Sequence, residues 1–229
     1  MSSEELNRAS YLLDAQNKAI ALFDEIERDL IRAGVSEKVL SDEIHELATK
    51  RHGIKTHWHK RVIRSGPNTL SPFEENPPDR VIEEDDILYV DLGPVFEQWE
   101  ADFGRTYVLG DDLDKKRLRD SLEPTWNVIS SRYHENPDIT GDGLFEIACE
   151  VAQEAGWEWN AKIAGHIVGS FPHERIPRDK TTLYITKDNN LPMSTPGKDG
   201  LKRHWILEVH LRDPARQFAA FHEKLLTIA

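Results

Sequence analysis

Four acidic residues sit where a folded chain tolerates them least, at or inside runs of apolar, strand-forming residues. Asp91 ends the run Ile87-Leu88-Tyr89-Val90, Glu208 lies within WILEVHL, and Glu223 lies in AAFHEKLLTI. Charged side chains are almost never fully buried without a partner. Asp102, between Ala101 and Phe103, joins this set: VDLGPVFEQWEADFG reads as two strands with a short connection, and so as an antiparallel pair. Two buried carboxylates facing each other need a cation or a shared proton. Singly, each has a plainer reading. Asp91 or Asp102 could cap a turn in water, and Glu208 or Glu223 could face solvent on an edge strand.

Histidines recur near these positions. His166 and His173 share the segment GHIVGSFPHE, where Gly165 and Gly169 let backbone approach closely. His210 follows Glu208 by two residues, which puts both on one face of a strand. His57 and His59 flank Trp58 in a segment whose alternation reads as a strand over 55–63, again on one face. A neutral imidazole is a good ligand for transition metals; the plainer reading of each is a surface or satisfied core histidine. Four carboxylates and one imidazole, Asp91, Asp102, His166, Glu208 and Glu223, form a donor set suited to two hard or borderline divalent ions rather than a lone structural zinc. Such ions can share a bridging hydroxide, lower its pKa and polarise a carbonyl.

The rest of the chain supplies a scaffold. Apolar residues from Leu6 to Leu30 recur at helical spacing over 4–33, and Gly34 stops the run. Ser36 caps a second helix that Gly53 closes. SGPNTLSPFEENPPDR is a loop by its Pro, Gly and Asn content. A helix from Asp111 or Asp112 to Tyr133 contains Pro124, which should kink or split it. Another helix runs from Asp142 to Ala155, before Gly156. Short strands follow in GHIVGSF, TLYIT, HWILEVHL and QFAAFHEKLLTI. Helices, strands, helices, strands in that order suggest two αβ halves within one domain spanning 1–229, with the helices of 1–53 packed on it and no separate N-terminal domain.

Charge and cysteine use narrow the partners. The net charge is -12, which repels phosphate backbones and anionic lipid, so neither nucleic acid nor membrane is expected as a partner. The single cysteine, Cys149, excludes an internal disulfide and a CxxC metal site; its helical setting reads as a buried structural thiol. No secretory signal and no apolar run of ~20 residues is visible, so a cytoplasmic location is expected.

The ordered donors resemble the methionine aminopeptidase, aminopeptidase P, prolidase and creatinase superfamily. The match runs from about Arg61 to the end of the chain, and RSGPNT, DDILYVDLGP and ADFGRT look like its aminopeptidase P and prolidase branch. The two aspartates stand eleven positions apart, and His166 and His173-Glu174 match the family's histidine segment. The resemblance implies the pita-bread fold: two pseudo-symmetric αβ halves with a curved antiparallel sheet covered by helices, an α/β (α+β) class. It also implies a dinuclear hydrolase. Asp91 would bind one metal and His166 the other. Asp102 and Glu223 would bridge them. Glu208 would bind metal and exchange protons, and His173 would contact the substrate carbonyl. Manganese is the first expectation, with cobalt, iron and zinc as alternatives; a small peptide or other small molecule is the expected substrate and a homodimer the expected assembly.

The sequence also departs from that family. Ile167 replaces a glycine and Val209 a proline. Phe221 and His222 stand where proline-specific peptidases carry an arginine. The loop lacks the expected substrate histidine, Pro72 falling near its place, so His57 and His59 are candidate replacements, with His210 a further candidate substrate contact. The function expected is therefore an aminopeptidase or dipeptidase. The competing readings are creatinase-like, redox or lyase chemistry on a non-peptide substrate, with His210 or His222 as an added ligand, and a non-catalytic binding module.

Overall fold

The structure is a computed structural model that describes residues 3–136, 138–173, 181–215 and 217–228. Glu174 lies outside them.

Two helices open the chain. α1 (Ser3–Asp29) ends a turn earlier than the apolar spacing suggests. α2 (Glu37–His52) has the expected caps. Ser36 accepts a hydrogen bond from the Val39 N–H at 3.2 Å, and Gly53 takes the left-handed conformation with φ +66°.

The strand expected over 55–63 does not form over that range. β1 covers only Val62–Ser65. Upstream, the chain crosses a loop instead: the Trp58 N–H donates to the Gly93 carbonyl at 2.8 Å, and His57 forms an isolated bridge with Pro94. The backbone finds its partners outside a regular ladder, so strand alternation does not govern His57 and His59. A short 3-10 turn, Gly66–Leu70, follows within the predicted loop.

β2 (Ile87–Leu92) and β5 (Phe103–Val108) pair antiparallel, as expected, around a small hairpin of β3 (Val95–Phe96) and β4 (Trp99–Glu100). Asp102 immediately precedes β5 rather than lying inside it. α3 (Leu113–Glu135), capped by Asp112, runs unbroken through Pro124, against the expected kink. Asp120 and Pro124 are both exposed, so the carbonyl that loses its N–H partner faces water, while Leu122, Trp126 and Ile129 hold the other side in the core. α4 (Gly141–Glu154) carries Cys149, which is half-buried.

The remaining strands are β6 (Glu158–Trp159), β7 (Ile163–Val168), β8 (Tyr184–Thr186), β9 (His204–Arg212) and β10 (Ala219–Leu225). They complete a sheet ordered β1-β2-β5-β10-β9-β7-β8, with β6 beside β9, and every pairing is antiparallel.

Two cores lie against this sheet. Leu88, Val90 and Leu92 pack with Phe23 and Ile26 of α1 and with Leu40 and Ile44 of α2. Leu207, Val209 and Leu211 pack with Leu118 and Ile129 of α3 and with Leu144 of α4. Each such buried aliphatic side chain contributes about 1.5–3 kcal/mol. Strand alternation then decides the rest: with those residues turned to the helices, Asp91 and Glu208 must emerge on the opposite face. Among the described residues no helix is long and apolar enough to cross a membrane.

Candidate metal centre

The sheet aligns the carboxylates. Asp91 on β2 pairs with Gly104 on β5, Gly104 with Glu223 on β10, and Glu223 with Glu208 on β9. Directly opposed residues of antiparallel strands point to the same face. One row across four strands thus carries three buried carboxylates and a glycine. Gly104 is required because a Cβ there would run into the Phe221 ring, which lies over it. Asp102 and His166 reach the same row from the start of β5 and from β7. Gly165, at φ +138°, lets β7 close on β9 beside His166; a Cβ there would strike the Ile206 carbonyl.

Asp102 is the centre of the arrangement. Its Oδ1 lies 3.1 Å from His59 Nε2 and its Oδ2 lies 3.0 Å from His166 Nε2. His59 Nε2 is also 3.4 Å from Asp91, and His166 Nε2 is 3.5 Å from Glu208 and 3.9 Å from Glu223. Donor atoms of His59, Asp91 and Asp102 lie within 4.8 Å of one another, as do those of Asp102, His166 and Glu223. The result is two three-donor sets that share one carboxylate.

The electrostatics fit a cation site. Burial raises the Asp91 carboxyl, and neighbouring carboxylates add to the rise while His59 opposes it. Burial likewise raises Glu223 well above its usual range, aided by Asp102 and Glu208. Asp102 goes the other way: burial would raise it, but the charges and hydrogen bonds of His59 and His166 outweigh that and hold it low. Burial works against charge on both imidazoles, yet Asp91 and Asp102 bring His59 up to about 9, and Asp102 does the same for His166. Buried Asp91 Oδ1 and Glu223 Oε2 have no hydrogen-bond partner among the described residues. Converging buried acids, two of whose oxygens make no hydrogen bond among the described residues, are the donors a divalent ion needs.

The other expected site residues divide. His173 lies beside the centre, its ring 6.4 Å from that of His166. Glu100 holds it, accepting from the His173 backbone N–H at 3.0 Å and from Nδ1 at 2.7 Å. Sequence reasoning missed Glu100, although a charged residue two before Asp102 in WEAD was a visible signal. His210 Nε2 lies 2.8 Å from Glu208 Oε2, on the face that alternation predicts. His59 reaches the acids, but His57 does not join it; its ring lies 6.3 Å from that of His45 on α2. His222, on the strand position next to Glu223, turns to the opposite face and is no added ligand.

The substitutions noted in the sequence also separate. Ile167 and Val209 point into the core beneath α3 and α4, away from the donors. Phe221 stays on the site face, 4.7 Å from the His210 ring. Trp58, also missed, packs its indole against the rings of His59, His166 and His173 at 4.5, 5.1 and 4.9 Å.

A family model described as metallopeptidase family M24 matches residues 10–197, and the chain belongs to that family. Among curated relatives, an Xaa-Pro dipeptidase of Pyrococcus furiosus is 28% identical over 189 residues, covering 80% of this chain and 51% of the relative. An Xaa-Pro dipeptidase of Lactobacillus helveticus is 25% identical over 149 residues, covering 64% of this chain and 39% of the relative. The chain thus spans about half the length, or less, of these relatives. A solved prolidase from Thermococcus sibiricus superposes with a TM-score of 0.77 over 100% of this chain and 57% of that one, at 19% identity. The fold is the pita-bread fold expected from the resemblance.

Proposed function

We propose that this chain is the catalytic unit of a metal-dependent peptidase that cleaves an amide bond near the N-terminus of a small peptide, using two divalent ions. The observation that carries this reading is the pair of three-donor sets sharing Asp102. Asp91, Asp102, His166, Glu208 and Glu223 would hold the ions, manganese first among them, with cobalt, iron or zinc as alternatives. When bound, such ions lower the pKa of a water molecule and polarise a carbonyl.

The protein's own groups supply the rest. Glu208 takes the proton from the attacking water and returns it to the leaving amine, and His210, in contact with its Oε2, orients the carboxylate. His173 donates to the oxygen of the scissile carbonyl as it gains charge. Glu100 holds His173 through Nδ1 and so leaves Nε2 for that task. A cavity of about 200 Å³, lined by Trp58, Glu100, Phe171, Pro172 and His173, adjoins this group. Drug-sized pockets run to about 300–1,000 Å³, so this one suits a single amino-acid side chain. The relatives named as Xaa-Pro dipeptidases make such peptides the first to try. With Phe221 and His222 in place of the expected arginine, proline at the second position is not a requirement of this reading.

The test is metal content by mass spectrometry followed by a dipeptide panel with manganese, cobalt, iron or zinc. Folded Asp102→Ala and Glu223→Ala should lose bound metal and more than ~100-fold in turnover. Wild-type turnover by either variant, or a wild type that binds no divalent ion, would sink the proposal.

A further inference from the structure

We infer that His59 is a metal ligand, so that each ion of the centre receives one imidazole. This rests on the dinuclear reading above and adds a donor from a segment that precedes the sheet. His59 and His166 are held alike. The Nδ1 of His59 lies 2.6 Å from the Lys60 carbonyl, and the Nδ1 of His166 lies 2.8 Å from the Ile167 carbonyl. In each case the ring hydrogen bonds to the carbonyl of the next residue. That bond fixes one proton on Nδ1 and leaves Nε2, which faces the acids, as the nitrogen a cation would take on displacing its proton, the arrangement by which metal-bound histidines are oriented.

The two rings also address opposite oxygens of one carboxylate, His59 facing Oδ1 of Asp102 and His166 facing Oδ2. A carboxylate flanked in this way can serve two ions, one on each oxygen. The His59 ring is built into its place. It packs edge-on against Trp58, and a side chain at Gly93 would collide with its Cδ2. A histidine that only met substrate would aim its free nitrogen at the pocket; this one aims it between two aspartates.

Without His59, the ion at Asp91 would see carboxylate oxygen alone, a set that suits manganese, magnesium or calcium. With an imidazole added, it becomes a mixed nitrogen and oxygen set like that of the ion at His166, which moves preference from magnesium and calcium towards the transition metals named above. The two ions should then bind with similar affinity.

Cobalt-loaded protein tests this without reference to turnover. A ligating imidazole shifts its Nδ1–H proton far downfield in the proton NMR spectrum, and both Nδ1–H groups here are hydrogen-bonded. Two exchangeable downfield signals are expected, one lost in His59→Gln and the other in His166→Gln. Titration of His59→Gln with cobalt should show one step weakened by ~10-fold or more and the other unchanged. A wild-type spectrum with one such signal, lost only in His166→Gln, would overturn the inference and leave the dinuclear reading standing. Two full-strength cobalt sites in His59→Gln would do the same. No cobalt bound by the wild type would overturn both.

Discussion

A single hydrogen-bond pair separates two histidines that the linear chain presents as equals. His59 reaches Asp91 and Asp102, while His57, two residues away, is half-buried beside His45, and its Nε2 has no hydrogen-bond partner among the described residues. Burial, then the charges of Arg61 and the neighbouring imidazoles, lowers His57 to about 4. The unfolded chain takes up this proton near pH 6.5. Between about 6.5 and 4 the unfolded state therefore binds more protons than the folded one, and stability falls as pH falls. His57→Leu should flatten that dependence by ~1 kcal/mol per pH unit, read by urea unfolding at pH 7 and pH 5. A slope equal to the wild type's would contradict the assignment of His57 as a half-buried neutral residue. At His173 the expectation is kinetic. His173→Ala should keep its metal and lose ~100-fold in kcat, and Glu100→Gln should lose ~10-fold by loosening the ring. Metal lost from His173→Ala would instead make that residue a ligand.

Elements deliver these residues only where other elements pin them. The α2 carboxylate Glu37 is buried and accepts hydrogen bonds from Ser65 N–H at 2.6 Å, from Ser65 Oγ at 2.9 Å and from Asn68 Nδ2 at 2.9 Å. It thereby ties the first turn of α2 to the end of β1 and to the 3-10 turn that follows. Glu37→Ala would leave those donors unsatisfied, each worth about 1–3 kcal/mol if cut off from water. A loss of ~2–4 kcal/mol is expected, seen as a lower urea midpoint at unchanged slope. Further along the same face of the sheet, α3 is held by packing rather than by its own hydrogen bonds at Pro124. The side chains of Trp126 and Ile129 stay in the core, and the Trp126 indole donates to the Leu207 carbonyl of β9 at 3.0 Å.

At the scale of the whole molecule, the donors span Asp91 to Glu223 and meet only in the folded state. Divalent ions that bind there should therefore stabilise the entire fold. At a free concentration 100 times Kd the gain is about 2.7 kcal/mol, which for a domain of this size raises Tm by ~5–10 °C. Thermal scans with manganese or cobalt against scans with a chelator check this. Identical Tm values under both conditions, in protein shown to contain metal, would mean that the acids do not form a folding-linked site.

Local signals were legible in the chain. Ser36, Gly53 and Asp112 bound their helices because caps act within one turn, and Asp91, Glu208 and Glu223 stood out because charge rarely interrupts an apolar strand. What the linear chain left open were relations between distant segments. The register Asp91–Gly104–Glu223–Glu208 depends on how four strands pair, and the crossing at Gly93 brings His59 to the acids while turning His57 away. Alternation assigns faces only inside a ladder, and residues 57–59 take their hydrogen bonds from a loop. Amino-acid type therefore specified which groups the interior must neutralise, and tertiary pairing alone decided which of them meet.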